Sequence, residues 1–401
     1  MRYLLAASLL LVLVAAQASA GTWYVPGDAA NIQGAVNMAS AGDTVLVAAG
    51  TYYEQVTVLN KGIVLASQSG SDVTTIDAGG SGRVMTLDGA SAGMEVRGFT
   101  ITNGRATSDS NGFGAGILCT NGTSVLIRNN RIVGDSAKYG AGIAVLNSSF
   151  ATIESNQFSS NWADPPRGGH GGAIYLEKTA IGNAIISGNV MIGNSADRGA
   201  GVYCPAPATI DGNVITGNIG ATGVAIAVEC YDAIVTRNVI THNKAWSRGA
   251  GILLYLCSPW IAYNTIDSNK CYDLGGGIYM DGSSPTVTNN VVTNSLDGGG
   301  IHCVGGQPTF SCNDVWNSVD GNYLGGCPDQ TGINGNISAD PLFCNAAAED
   351  YAIDEMSPCA PGNSPSACGL IGALPVGCYS AGVPSRQEQP TTWGAIKSMY
   401  K

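Results

Sequence analysis

Residues 249–274 read GAGILLYLCSPWIAYNTIDSNKCYDL, and the chain then begins the same phrase again with Gly275-Gly276-Gly277-Ile278. Three short β-rich runs stand in this unit, Ile252 to Tyr255, Trp260 to Tyr263 and Thr265-Ile266, separated by Ser, Pro and Asn. None is long enough, or has the period, for a helix. Working outward, the Gly-x-Gly-Ile phrase and its close variants start at Gly114, Gly140, Gly171, Gly199, Gly223, Gly249, Gly275 and Gly298. Its apolar fourth position is Ile117, Ile143, Ile174, Val202, Ile226, Ile252, Ile278 and Ile301, at spacings of 23 to 31 residues. A second marker keeps step: Asn130, Asn156, Asn189, Asn213, Asn238, Asn264, Asn290 and Asn313. Two independent markers with one period define a repeat.

A unit of about 25 residues with three short strands cannot bury its own apolar face, so it must stack on its neighbours. Strands stacked at about 4.8 Å make parallel sheets, and roughly 11 such coils give a rod of about 50 Å. The glycines suit turns of positive φ or close backbone approach, and aligned Asn side chains can hydrogen-bond along the stack. The N-terminal segment differs in kind. Asp28 is positioned to cap a short helix with Ile32, Ala35, Val36 and Ala39 on one face, which would cover the open first coil.

Twelve Cys are present, seven of them between Cys303 and Cys378, and no CxxC pair occurs. In an exported chain this pattern predicts disulfides rather than zinc, with connectivity left open. Export itself is the reading of residues 1–20: Arg2 gives a positive start, Tyr3 to Ala16 an apolar run and Ala18-Ser19-Ala20 a cleavage site, so the mature chain is expected to begin at Gly21. The apolar run is too short for a relaxed membrane span, and no transmembrane segment is expected in the mature chain. Removing Arg2 takes the net charge from −11 to −12, which speaks against a nucleic-acid partner. The expected organisation is a signal peptide at 1–20, stacked coils with their N-terminal cap at 21–345, a Cys-rich C-terminal cap at 346–384 and a tail at 385–401. In that tail Trp393, Ile396, Met399 and Tyr400 can share a helical face, and a sorting or anchoring tag is one reading.

Ile32-Gln33, Ala39, Ala41-Gly42-Asp43-Thr44, Gly50-Thr51-Tyr52, Glu54 and Gly98-Phe99-Thr100-Ile101 resemble the opening of many pectin-lyase-like β-helix proteins. The Gly-x-Gly-Ile and Asn repeats are similar to the right-handed β-helix repeats of that superfamily and cover most of the mature chain. The fold class expected is therefore all-β, a single-stranded right-handed parallel β-helix with an N-terminal helical cap and a Cys-rich C-terminal cap. Function does not follow from the fold, which hosts lyases, hydrolases, esterases and non-catalytic surface proteins. The Gln-Asp-Thr-Leu and Asp-Phe-Ile-Phe-Gly segments of pectin methylesterases have no match here. Gly169-His170-Gly171 matches the Gly-His-Gly element of polygalacturonases, but the paired carboxylates and the other elements are missing. Pectate lyases use clustered acidic calcium ligands and a basic residue, and no compact Asp cluster with such a base is present. Met191 to Ala196 before Gly199, and Ile240 to Ala245 before Gly249, resemble bacterial polymorphic outer-membrane repeats, which points to a surface or adhesive role.

In a stack, residues of one turn form a column although they are far apart in sequence. The turn before each Gly-x-Gly-Ile carries Trp162, Asp164, Arg167 and His170, then Asp197 and Arg198, then Trp246 and Arg248, then Tyr272 and Asp273. Aromatic faces stack on sugar rings, and Arg pairs bidentately with uronate carboxylates. The ligand-binding candidates are thus Trp162, Arg167, His170, Arg198, Trp246, Arg248, Tyr272 and Asp273. Long solenoid turns also collect such residues without any ligand. The function expected is a secreted or cell-surface protein that binds a polysaccharide or cell-surface glycan or mediates adhesion. The alternative is a lyase acting on uronate-containing glycans, in which an Arg neutralises the uronate and His170 takes a proton. No cofactor is expected, and the sequence does not indicate calcium.

Overall fold

The fourth residues of the repeat lie one upon the next. In the computed structural model Ile117, Ile143, Ile174, Val202, Ile226, Ile252, Ile278 and Ile301 are successive register partners in one parallel sheet, and all are buried. The structure describes residues 20–106, 112–164, 168–179, 183–229, 232–365 and 367–379. Residues 1–19 of the expected signal peptide and the tail from 380 lie outside the described residues.

The central coils contribute to four sheets each. Ile252–Tyr255 belongs to sheet I, Trp260–Ala262 to sheet II, Thr265–Asp267 to sheet III and Lys270–Cys271 to sheet IV. The sheets hold eleven, twelve, eleven and seven strands, each paired in parallel with the strand one coil away. The fourth, two- to five-residue strand occupies what reads in sequence as the long turn before Gly-x-Gly-Ile. Sheets I to III enclose the main core of Ile, Val and Leu. Under sheet IV lies a separate narrow core of small residues, among them Ala137, Ala163, Ala196 and Ala245.

The two glycines of the phrase do different work. Gly249 has φ +61°, and a Cβ on Gly251 would collide with the carbonyl of Gly277 in the next coil. One glycine turns the chain and the other lets coils approach.

Inside the turn between sheets II and III the Asn column forms a continuous ladder. From Asn130 through Asn156, Asn189, Asn213, Asn238, Asn264, Asn290 and Asn313 to Asn336, each Nδ2 donates to the next Oδ1 at 2.9–3.1 Å. A second buried ladder, not singled out in the sequence, runs through Asn161, Asn194, Asn218, Asn243 and Asn269 at 2.9–3.0 Å. Its head is Asp135, whose Oδ1 accepts from Gly104 N at 2.7 Å while Oδ2 is buried without a partner. Burial pushes this carboxyl well above the usual carboxylate range.

The predicted N-terminal helix is Ile32–Met38, with Ile32, Ala35 and Val36 buried in the main core. Its cap is not Asp28. Asn31 Oδ1 accepts from Gly34 N at 2.7 Å, and Glu54 accepts from Ile32 N and Gln33 N, both at 2.9 Å. Asp28 instead accepts from Tyr24 N at 2.8 Å, closing the preceding turn.

The Cys-rich segment runs back along the outer face of sheet III. Phe343–Asn345, Asp350–Asp354 and Val376–Cys378 form a small sheet of their own. Tyr351 packs on Val190, Val214 and Val239, and Ala373 N donates to Thr265 Oγ1 at 3.0 Å. Disulfides join Cys303 to Cys327, Cys312 to Cys368 and Cys344 to Cys378. Cys359 stays a buried thiol, 3.2 Å from Asp314 Oδ2. Among the described residues no helix is long and apolar enough to cross a membrane.

Candidate functional site

The stack separates the sequence-predicted residues into two groups. Trp162 opens the sheet IV strand Trp162–Ala163, where it is 48% exposed. Trp246 and Tyr272 stand on the same outer surface, 53% and 45% exposed, with rings stacked at 5.2 Å and only 5° between planes. Lys244 Nζ lies 4.7 Å from the Trp246 ring centre, and Lys270 Nζ 4.6 Å from that of Tyr272. Three coils separate the Trp162 register from that of Lys244, about 14 Å along the stack. Asp273 is exposed beside Tyr272.

The second group faces sheet I. His170 and Arg198 are register partners, and Thr222 and Arg248 continue their column. Arg198 Nη1 is 2.7 Å from Glu229 Oε1, and Tyr203 OH donates to the other oxygen of that carboxylate at 2.9 Å. Arg248 lies over the Tyr279 ring at 5.6 Å, with Asp281 3.7 Å away. Asp197 is half-buried next to Arg198, and Asp164 has the same burial in the coil before. Arg167 lies outside the described residues.

Around His170 the structure assembles aromatic residues that the sequence reading did not select. Phe113 and Tyr139 stack at 4.8 Å, Tyr139 lies 5.4 Å from Tyr175, and Tyr175 stacks on Tyr203 at 5.4 Å and 11°. The His170 ring is 4.5 Å from that of Tyr203. Tyr175 and Tyr203 project from the middle of their sheet I strands, in the outer column that also holds Leu118, Ala144, Ala227, Leu253, Tyr279 and His302. Unlike the inner Ile column, this one changes in almost every coil. No periodic signal marks it, and the only sequence clue is an aromatic residue one place before or one place after the Gly-x-Gly-Ile phrase.

This aromatic row opens at its N-terminal end into a cleft of about 570 Å³. Phe113, Leu118 and Leu146 give it an apolar lining, and Thr120, Asn121, Asn147 and Glu177 a polar one, with Arg83 at the edge. Strand pairing fixes the polar groups: Asn147 Nδ2 donates to Thr120 Oγ1 at 3.0 Å, and Glu177 accepts from Asn147 N at 2.7 Å. Arg83 Nε donates to Phe113 O at 2.8 Å, tying one wall to the coil before.

Electrostatically Tyr175, Tyr203 and His170 are uncharged at neutral pH. Burial pushes the Tyr175 hydroxyl up to about 12, and burial with the Glu229 carboxylate raises that of Tyr203 further. Burial, and next the Arg198 charge, lowers His170, which keeps the imidazole neutral. Such a surface offers ring faces, hydroxyls and amides, the groups that recognise a sugar's apolar and hydroxyl faces. Among the described residues no group of three or more His, Cys, Asp or Glu is placed to hold a metal ion.

Comparison with known proteins bears on the scaffold. Neither the curated proteins nor the solved structures yield a match. A family model described as right handed beta helix region matches residues 54–204 and again 141–315, spanning the coils that carry the row, the cleft and the sheet IV aromatics. With the register of four parallel sheets already on the page, the match makes this chain a member of the right-handed β-helix family, of the pectin-lyase-like kind.

Proposed function

We propose that the protein is exported and binds a polysaccharide or cell-surface glycan along the outer face of sheet I, in a binding or adhesive role. The observation that carries this reading is the continuity of the 570 Å³ cleft with the row Phe113, Tyr139, Tyr175 and Tyr203. The cleft volume falls in the range of ordinary small-ligand sites, and a lining of apolar groups with a few fixed polar ones is what such sites use. The half-buried Phe113, Tyr139 and Tyr175 then give a chain of sugars further aromatic contacts at coil spacing, with the buried Tyr203 backing the row. Trp162, Trp246 and Tyr272 flank it on sheet IV, where Lys244 and Lys270 favour an anionic glycan. The helix Ile32–Met38 serves as the cover of the first coil, and disulfides suit an extracellular setting.

The test is binding of the exported protein to a panel of neutral and acidic polysaccharides, repeated with Tyr175→Ala and with Trp246→Ala. Loss of binding with Tyr175→Ala supports the sheet I face. Loss with Trp246→Ala alone moves the site to sheet IV, and unchanged binding by both variants removes the reading.

A uronate-cleaving lyase is the second reading, favoured by one observation, the neutral His170 beside Arg198. There His170 takes the proton and Arg198 faces the uronate. Release of unsaturated sugars absorbing in the ultraviolet, abolished by His170→Ala, separates lyase from binder.

A further inference from the structure

The first described strand, Thr22–Val25, pairs in parallel with Thr44–Val47, and Thr44 N donates to Gly21 O at 2.8 Å. One residue earlier in the pairing, Asp43 turns its carboxylate back on the chain. Oδ1 accepts from Gly21 N at 2.6 Å, and Oδ2 from Trp23 Nε1 at 3.0 Å and Ser40 N at 2.9 Å. A Cβ at position 21 would stand 3.3 Å from Asp43 Oδ1, so a glycine fits this approach best. Ala20, immediately before it, is exposed.

We propose that Asp43 is a docking site for the α-ammonium group created when the leader is cut between Ala20 and Gly21. This rests on the export reading. An export peptidase adds water across the Ala20–Gly21 peptide bond. The carboxylate leaves on Ala20 with the leader, and the Gly21 nitrogen keeps its place and takes up protons. The amide hydrogen bond to Asp43 then becomes a charge-assisted pair, shorter and stronger than a neutral one. The indole of Trp23 and the Ser40 amide hold the carboxylate in position before the cut. The bonds from Ser40 and Gly21 already hold Asp43 below the usual carboxylate range, so it is ionised when the ammonium appears. Lys61 is the other charged group acting on Asp43, and its Nζ is engaged with Val36 O and Ala39 O. Processing thus fastens the first strand to the second, at the end of the stack where a parallel sheet is open.

An α-ammonium has an ordinary pKa of about 8, and a carboxylate partner raises it. The pair is present below that pH and is lost as pH rises through the raised value. The experiment is N-terminal sequencing of the exported protein by mass spectrometry, followed by the rate of α-amine acylation at pH 8 in wild type, Asp43→Asn and Asp28→Asn. The expected result is a chain beginning at Gly21 whose α-amine reacts about fivefold more slowly than in Asp43→Asn, the effect at pH 8 of a rise of about one unit from an ordinary pKa of about 8. Asp28→Asn, which alters the turn after the first strand and leaves Asp43 with all its partners, stays slow. It also serves as the folding control if Asp43→Asn is poorly folded, since a fast amine in folded Asp28→Asn overturns the proposal too. Equal rates in wild type and Asp43→Asn overturn the docking site while leaving export intact. A chain that keeps residues 1–20, or begins elsewhere, overturns the export reading instead.

Discussion

The inner turn between sheets II and III and the outer face of sheet I are built by the same coils under opposite rules. On the inside, Asn follows Asn from 130 to 336, because each side chain must satisfy the coil before and the coil after. On the outside, Leu118, Ala144, Tyr175, Tyr203, Ala227 and Leu253 follow one another without repetition. A stacked fold demands sameness only where coils touch. Variation on the outer face, where Tyr203 and Leu253 are buried but Phe113, Tyr139 and Tyr175 stay half-buried, is therefore where function is to be sought.

Breaking the repeated side should cost the fold most. Asn213→Leu leaves the Asn189 amide donors without their acceptor and takes a donor from Ile186 O, Asp211 O and Asn238 Oδ1. Buried groups left unpaired cost about 1–3 kcal/mol each, so a loss of about 4 kcal/mol is expected in denaturant unfolding. A loss below about 1 kcal/mol would show that the ladder is not what holds the coils.

The flanking Cys-rich segment is expected to respond to pH. Burial raises Asp314 to about 6 from the usual 3.8. A carboxyl with a raised folded-state pKa contributes stability below its unfolded value, and this is lost as pH rises through about 6. Between pH 4 and pH 7 the segment should lose about 3 kcal/mol, a dependence absent in Asp314→Asn. Hydrogen exchange of residues 343–378 at the two pH values measures it.

Asp135 breaks the second ladder's rule, and Asp135→Asn restores it. The amide can donate to Asn161 Oδ1 as the rungs below do, and the carboxyl whose ionisation burial opposes is gone. A gain of about 1 kcal/mol at pH 7, growing as pH rises, is expected in thermal unfolding. On the variable side the signs reverse. Tyr175→Ala should leave the unfolding midpoint within about 1 kcal/mol of wild type but weaken glycan binding about tenfold, or about 1.4 kcal/mol.

The same contrast explains what the sequence revealed. The inner Ile column and the first Asn ladder were legible because a residue repeated at every coil is periodic in sequence too. The second ladder sits five residues after the first, yet it begins with Asp135 and gives way to Ser295, so its Asn signal is broken at both ends. The cleft and the Tyr139–Tyr175–Tyr203 row have no period at all, and only stacking brings together residues 28 to 36 positions apart. His170, Arg198 and Arg248 were found because they lie in one turn, but their facing sheet I could not be read from a turn. The disulfide pairs depend on the return of residues 343–378 along sheet III, a long-range path that no local pattern encodes. The helix was placed correctly and its cap was not, since Asp28 and Asn31 are both capping residue types and only the structure shows that the first helical residue is Ile32.

The account's central claim is that the variable face of sheet I is the binding surface. Hydrogen exchange of the exported protein with and without a bound glycan tests it most directly. Added protection in residues 113–120, 139–147 and 175–177, with sheet II unchanged, is the predicted result. Protection confined to sheet II or to the small sheet of residues 343–378, with that face unaltered, would contradict it.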